Sequence, residues 1–542
     1  MSNTILKAAA AAAVLFVLTA PVTAQTPGQQ QLFDVAGTCM ACHNGITSPA
    51  GMDLSFGTSW RPSMMANSAR DPYWQAAVKR ETMDHPGAAV AIQDECSKCH
   101  MPMARFQAHT AGQPFEFFGE LPWQPGQGMA PQVRALAHDG VSCTLCHQIE
   151  AEGLGSRETF VGAFNVDTGT PMGQRSVYGP YEITAGASRA MLTSGQFLPT
   201  QSEHVREAGL CASCHTLFTH ARNDAGEVIG ELPEQVPYLE WLHSDYRDEQ
   251  SCQSCHMPKV DGQTAISSVL PIPRPDVRRH VFRGGNFFVP RIFNLYGAEL
   301  AVAALPGELD AMVGATERFL SERTARVEVG EAVHEDGRLA FDVRVTNLAG
   351  HKLPTAYPSR RAWLHVTVMD AAGGTVFESG ALRADGSIVG NDNDADAAAY
   401  EPHHTAIEAP DDVQIYEAIM ADYRGDVTTG LVYGVEFVKD SRLLPRGFDK
   451  TTAGPDIAVR GGAANDGDFT AAGDHVRYAA DVGDRAGPFT VKVALRYQPI
   501  AFRWARNLGE YDAPEPNRFV RFYDSLAHVS GAILAEAVAR IE

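Results

Sequence analysis

No cysteine in this 542-residue chain stands outside one repeated pentapeptide. With none left over, a disulfide framework of the kind found in exported proteins has no separate residues to build it. Positive charge is short as well: 44 Lys and Arg stand against 65 Asp and Glu, a formal net charge of −21. That balance argues against nucleic acid and anionic membrane partners, and it permits steering of basic proteins or cationic surfaces. Past the first two dozen residues no run of about 18 apolar residues occurs, so no membrane span is expected. A Gly-rich phosphate loop and a Gly-x-Ser-x-Gly nucleophile elbow are both missing.

The pentapeptide that takes all ten cysteines is Cys-x-x-Cys-His, at 39–43, 96–100, 143–147, 211–215 and 252–256. It reads as covalent attachment of c-type haem. The thiols of Cys39 and Cys42, Cys96 and Cys99, Cys143 and Cys146, Cys211 and Cys214, and Cys252 and Cys255 would add to porphyrin vinyl groups. His43, His100, His147, His215 and His256 would then ligate iron from the proximal side. Zinc wants four ligands from two such pairs. Five copies leave one pair over, and zinc gives no reason for a histidine after every second cysteine. A thioredoxin-like motif normally occurs once. Five covalently bound haems are therefore expected.

Residues 1–24 read as a secretory signal. Lys7 supplies the positive start, residues 8–20 the short apolar run, and Val22-Thr23-Ala24 a small-residue cleavage site. The run is too short to span a bilayer well, and no cysteine follows the cleavage site to take a lipid. Export suits haem attachment, and the expected location is the periplasm or the cell exterior.

About 520 residues would remain, enough for more than one domain. Residues 25–299 contain every haem motif, are rich in Gly, Pro and Met, and show few periodic stretches. Short helices are expected at 71–82, 131–138 and 238–244. Such a segment has little aliphatic core of its own, and the porphyrins would supply the apolar mass. Residues 300–323 read as a linker helix, firm from Glu308 onward because Pro306-Gly307 interrupts it. In 324–512 the pattern becomes alternating, at 326–333, 339–346, 363–370, 375–379, 436–438 and 488–497. Turns such as Glu335-Asp336-Gly337 and Ala372-Gly373-Gly374 separate these stretches. This is the signature of an antiparallel β-sandwich. In 513–542, Phe519, Phe522, Leu526, Val529, Ile533, Ala537 and Ile541 fall near helical spacing, and an amphipathic terminal helix is expected. The expected fold is thus a loop-rich, mainly α pentahaem domain, then a β-sandwich, then a helix.

The second axial ligand of each iron decides between electron transfer and catalysis. Seven histidines before residue 300 lie outside the motifs. His85, His109, His138, His204 and His280 are the distal candidates, with His220 and His243 in reserve. His138 leads, because its short distance to Cys143 keeps it from bending onto its own haem and sends it to a neighbour. Met64, Met65 and Met101 are softer alternatives, read first as packing.

The stretches His138-Asp-Gly-Val-Ser-Cys-Thr-Leu-Cys-His147, Glu240-Trp241 ahead of Cys252-Gln-Ser-Cys-His-Met-Pro258, and His280-Val-Phe-Arg-Gly-Gly-Asn286 resemble the cytochrome c554-like multihaem superfamily over roughly residues 35–290. The resemblance implies closely packed haem pairs, mostly bis-histidine iron, and electron transfer as the default role. Pentahaem nitrite reductases in that superfamily usually carry one Cys-x-x-Cys-Lys haem, and none occurs here. Gly350-His351-Lys352-Leu353-Pro354-Thr355, leading to Arg360-Arg361-Ala362-Trp363, resembles a phrase from the carboxyl β-domains of exported multihaem cytochromes. His351 can reach across to a haem, and Arg360 and Arg361 can pair propionates. The oxygen-rich run Asn391–Asp396 begins like an EF-hand loop. Ala397 and His403 stand where its Gly and Glu belong, which leaves room only for a looser calcium site. His403 and His404 read as surface residues.

Three functions are compatible with these features. An exported pentahaem electron carrier between a redox protein donor and acceptor leads. A multihaem reductase acting on a small nitrogen or sulfur oxyanion at one open haem comes second. A self-associating cytochrome filament comes third.

Overall fold

The computed structural model of the chain describes residues 30–120 and 131–542. The expected signal segment lies outside the described residues. No helix among the described residues is long and apolar enough to cross a membrane.

From residue 30 to about 304 the chain is loops and short helices. The longest early helix, Pro72–Asp84, shows why helices form here at all. Asp71 accepts backbone hydrogen bonds from Tyr73 (2.9 Å) and Trp74 (3.4 Å), and Pro72 occupies the first helical position. Both devices satisfy or remove donors that a helix start leaves unpaired. The predicted helices at 131–138 and 238–244 correspond to Pro131–His138 and Pro237–Leu242. Two small strand pairs break the helical character: Arg175–Gly179 runs parallel to Phe197–Gln201, and Leu217–Arg222 antiparallel to Val228–Gln235. The sequence reading did not anticipate either pair.

The connecting helix is Pro306–Arg323, and Pro306 starts it rather than interrupting it. Its Glu308 carboxylate accepts from the Leu305 amide at 2.9 Å, closing the first turn. Glu308 also pairs with Arg61, which ties the linker to the amino half.

Besides a small antiparallel sheet of Val427–Thr428, Ala418–Asp422 and Gly434–Asp440, two larger sheets make the carboxyl half. One runs Ile415–Tyr416, Arg361–Met369, Phe489–Gln498, Ala532–Ile541, with Thr375–Ser379 also on Arg361–Met369. The other runs Ala325–Glu335, Arg338–Asn347, Asp474–Asp481, Ala406–Ile407. All pairings are antiparallel except the short contact of Ala406–Ile407 with Asp474–Asp481. Alternation does what a pleat requires: Leu339, Phe341, Val343 and Val345 are buried while Asp342 and Arg344 are exposed. They meet Val366, Val491, Val493 and Tyr478 in one core. Phe341 lies parallel to Tyr478, centroids 5.5 Å apart. Full burial of such a side chain contributes about 1.5–3 kcal/mol. The turn at Asp336-Gly337 takes positive φ at both residues (49° and 73°), as a tight hairpin between right-twisted strands needs.

The terminal segment corrects the sequence reading. It is helical only over Pro514–Leu526, and Ala532–Ile541 is a strand paired with Phe489–Gln498. Ser530-Gly531 separates the two. Beyond it, Ala535, Ala537 and Ile541 pack on the core while Glu536, Val538 and Arg540 are exposed. That is a period of two, which the expected helical spacing misread.

Candidate haem-binding site

All ten cysteines and all five motif histidines line one cavity of about 1810 Å³. The cysteines are free thiols. Among the described residues, no group of side chains close enough to share a metal ion includes a cysteine. The motifs sit side by side: Cys39 meets Cys143, Cys99 meets Cys214, and Cys211 meets Cys252. Burial pushes the Cys146 thiol up to about 12.

The motif histidines are oriented by the backbone. Nδ1 of His43 lies 2.7 Å from the Ile266 carbonyl, that of His100 3.0 Å from Ser68, and that of His147 2.5 Å from Tyr178. Nδ1 of His256 contacts the Arg283 carbonyl. A carbonyl on Nδ1 fixes the tautomer and leaves Nε2 as a lone-pair donor, the arrangement metal-ligating imidazoles require. None of these four Nε2 atoms has a hydrogen-bond partner. Burial keeps His100 neutral, its pKa lowered to about 4. Trp74 lies flat against His100, centroids 4.3 Å apart and planes 4° apart, a contact the sequence did not signal.

Two further imidazoles face motif histidines across the cavity. His280 stands opposite His147 with centroids 6.3 Å apart and planes 18° apart. His351 stands opposite His256 at 6.3 Å and 13°. Their Nδ1 atoms are also held by carbonyls, of Arg278 at 3.1 Å and Lys352 at 2.8 Å. A metal between two Nε2 atoms at about 2 Å from each puts ring centroids roughly 6 Å apart. Burial lowers the His280 pKa to about 3, with His147 adding to it. The residues present therefore fit haem iron.

The other distal candidates are placed differently. His85 is buried against Tyr433, with neither ring nitrogen hydrogen-bonded, and does not line the cavity. His109 pairs with Asp94 at 2.6 Å and is turned away from the cavity. His138 lies beside the Arg70 guanidinium, outside the lining. His204 has both nitrogens engaged, Nδ1 with Ser202 Oγ at 2.7 Å and Nε2 with the Ile149 carbonyl at 2.8 Å. As placed, His204 offers no free nitrogen to an iron, and His109 lies outside the cavity. Of the reserves, His220 lines the cavity, and His243 contacts the Asp449 carbonyl at 2.9 Å. Met64 and Met65 line the cavity; Met101 is fully buried elsewhere.

The carboxyl half closes one side of this cavity, and Glu240 is the hinge pin that the sequence reading missed. Its fully buried carboxylate accepts from the Lys352 amide (3.1 Å) and the Thr355 hydroxyl (2.5 Å), and pairs with Arg442 (2.9 Å). Arg442 and Lys352 Nζ share Asp440, each at 2.7 Å. Arg360 lines the cavity. Arg361 does not: it is buried and forks onto Asp394 at 2.8 and 2.9 Å, which overturns its expected pairing with propionates. That same fork takes the central carboxylate of the Asn391–Asp396 run, so the run is no open calcium loop. His403 corrects the surface reading, since its side chain is buried between Asp466 (2.9 Å) and Gln414 (2.9 Å). His404, partly buried, pairs with Glu401 at 2.7 Å.

Neither protein-family models nor curated proteins match the chain. Among solved structures it is similar to a penta-heme cytochrome c552 from Thermochromatium tepidum. The TM-score is 0.50 and the identity 15%, over 95% of this chain and 100% of that one. The fold is similar to that of this penta-heme cytochrome, and the carboxyl part is β-rich.

Proposed function

We propose that this chain is an exported pentahaem c-type cytochrome that passes electrons along mostly bis-histidine haems between two redox proteins. One observation carries the reading: five attachment motifs converge on a single cavity, and four of their imidazoles are pinned at Nδ1 by backbone carbonyls. Haem iron, when bound, supplies reversible one-electron transfer. The chain's own residues do the rest. The cysteines hold the porphyrin edges, the carbonyls on Nδ1 of His43, His100, His147 and His256 raise imidazole basicity, and His280 is the distal partner facing His147. The apolar lining from Trp74, Val78, Phe56 and Phe319 excludes water and so tunes potential. Adjacent motifs, such as those of Cys211 and Cys252, favour short edge-to-edge steps. Segment 1–24 would direct export, and the acidic surface would favour basic partners in a salt-dependent way.

Reduction of a small nitrogen or sulfur oxyanion is the second reading. Arg360, Tyr357 and Glu234 line the same cavity, and burial raises Glu234 to about 7, within reach of proton donation at neutral pH.

Intact mass and pyridine haemochrome analysis of the mature protein should give five haems, and fewer would end the first reading. Ferric spectra that are wholly low-spin and unmoved by nitrite or cyanide support the carrier. A high-spin signal that shifts on ligand addition supports the reductase.

A further inference from the structure

We infer that His351, from the carboxyl β-rich half, is the distal axial ligand of the haem attached at Cys252 and Cys255, so that this haem site exists only where the two halves meet. The inference rests on the pentahaem reading above. It comes from a contrast among the chain's buried histidines. Two buried imidazoles outside the cavity have both nitrogens engaged by protein groups: His204 by Ser202 and Ile149, and His403 by Asp466 and Gln414. His351 engages Nδ1 alone, with the Lys352 carbonyl, and turns Nε2 into the cavity. There it faces His256 at the centroid separation (6.3 Å) also found for His147 and His280, with planes only 13° apart.

The backbone around His351 is built to hold that pose. Glu240 belongs to the helix Pro237–Leu242 of the amino half, yet it binds the amide of Lys352, the hydroxyl of Thr355 and the guanidinium of Arg442. Lys352 and Thr355 after the ring, and Gly350 before it through the Ser244 hydroxyl at 3.2 Å, are thus anchored to the half that carries Cys252 and Cys255. Glu240 acts as a positioning residue. A buried carboxylate held by two hydrogen bonds and an ion pair fixes a loop more tightly than apolar packing alone, because leaving those groups unpaired is costly. The β-rich half is then part of a redox centre and not only a docking module.

The test uses the full-length holoprotein. His351→Met and His351→Ala should retain five haems by intact mass while one haem changes its ferric EPR and optical signature. The Ala variant should become high-spin at that haem and return to low-spin on addition of imidazole. Glu240→Gln, of nearly the same shape, should perturb the same haem less, and His220→Ala should perturb none. Unchanged spectra in both His351 variants with five haems bound would overturn the inference and leave the pentahaem reading intact. Fewer than five haems in the wild-type protein would instead remove that reading. Should the variants fail to fold, the wild-type protein decides. Carbodiethoxylation of His351 in the folded ferric protein, mapped by peptide mass, would overturn the inference. Its protection at neutral pH, while the exposed His475 reacts in the same sample, would support it.

Discussion

Between residues 325 and 542 the inward faces of two sheets meet directly: Phe341, Val343 and Val345 of one among Val366, Val491 and Leu495 of the other. Between residues 30 and 304 the inward faces line a cavity instead, and the apolar groups around it are separated by short helices and loops. The first region closes its core with its own side chains. The second leaves the middle of its core to a group the chain must acquire. The difference shows where stability comes from in each half, and why Gly, Pro and Met suit one and alternating Val and Leu the other.

The largest test of this contrast is to withhold haem. Expressed without haem attachment, or with all ten cysteines changed to Ala, the amino half should lose cooperative unfolding and become protease-sensitive. A resistant fragment covering the β-rich half should survive, detected by limited proteolysis and mass spectrometry. Equal resistance of both halves would break the comparison.

Next comes Asp394→Ala. It strands the buried Arg361 guanidinium (1% exposed side chain) and should cost about 3–5 kcal/mol. Urea midpoints would show the loss in the β-rich transition, with haem spectra unmoved.

Paired histidine variants sharpen the distinction between ligand and packing. His280→Ala should alter one haem's EPR signal. His204→Ala, which removes two hydrogen bonds in a buried site, should cost about 1–3 kcal/mol without changing any haem. A spectral change in the His204 variant would reverse their roles.

The smallest effect is a pH dependence. Burial raises Glu234 from its ordinary 4.5 to about 7. The folded protein therefore holds a proton that the unfolded chain releases, and stability contributed by that proton is lost as pH rises from about 4.5 to about 7. Glu234 lies near Cys96, so its deprotonation should also favour ferric iron there. The midpoint potential of one haem should fall by on the order of tens of millivolts as pH rises through 7. Glu234→Gln should remove that slope in a pH-dependent redox titration.

Local patterns made much of this readable in advance. Cys-x-x-Cys-His fixes two thiols and an imidazole within one turn, so attachment chemistry is written in consecutive residues. Strict alternation announced Arg338–Asn347 and Arg361–Met369 because a pleat has a period of two wherever one face is buried. Ala532–Ile541 was misread because small residues satisfy helical and alternating templates together, and only pairing with Phe489–Gln498 chose between them. Whether a given imidazole faces the cavity was not legible at all. His109 and His280 carry the same side chain, but Asp94 holds one away from the cavity while the Arg278 carbonyl turns the other toward His147. Those partners lie on other segments of the chain. Sequence alone therefore set which thiols and imidazoles are the candidates to attach a cofactor and how many such motifs the chain has. Tertiary structure decided which side chains confront them, because that depends on hydrogen bonds and packing between residues as far apart as Glu240 and Lys352.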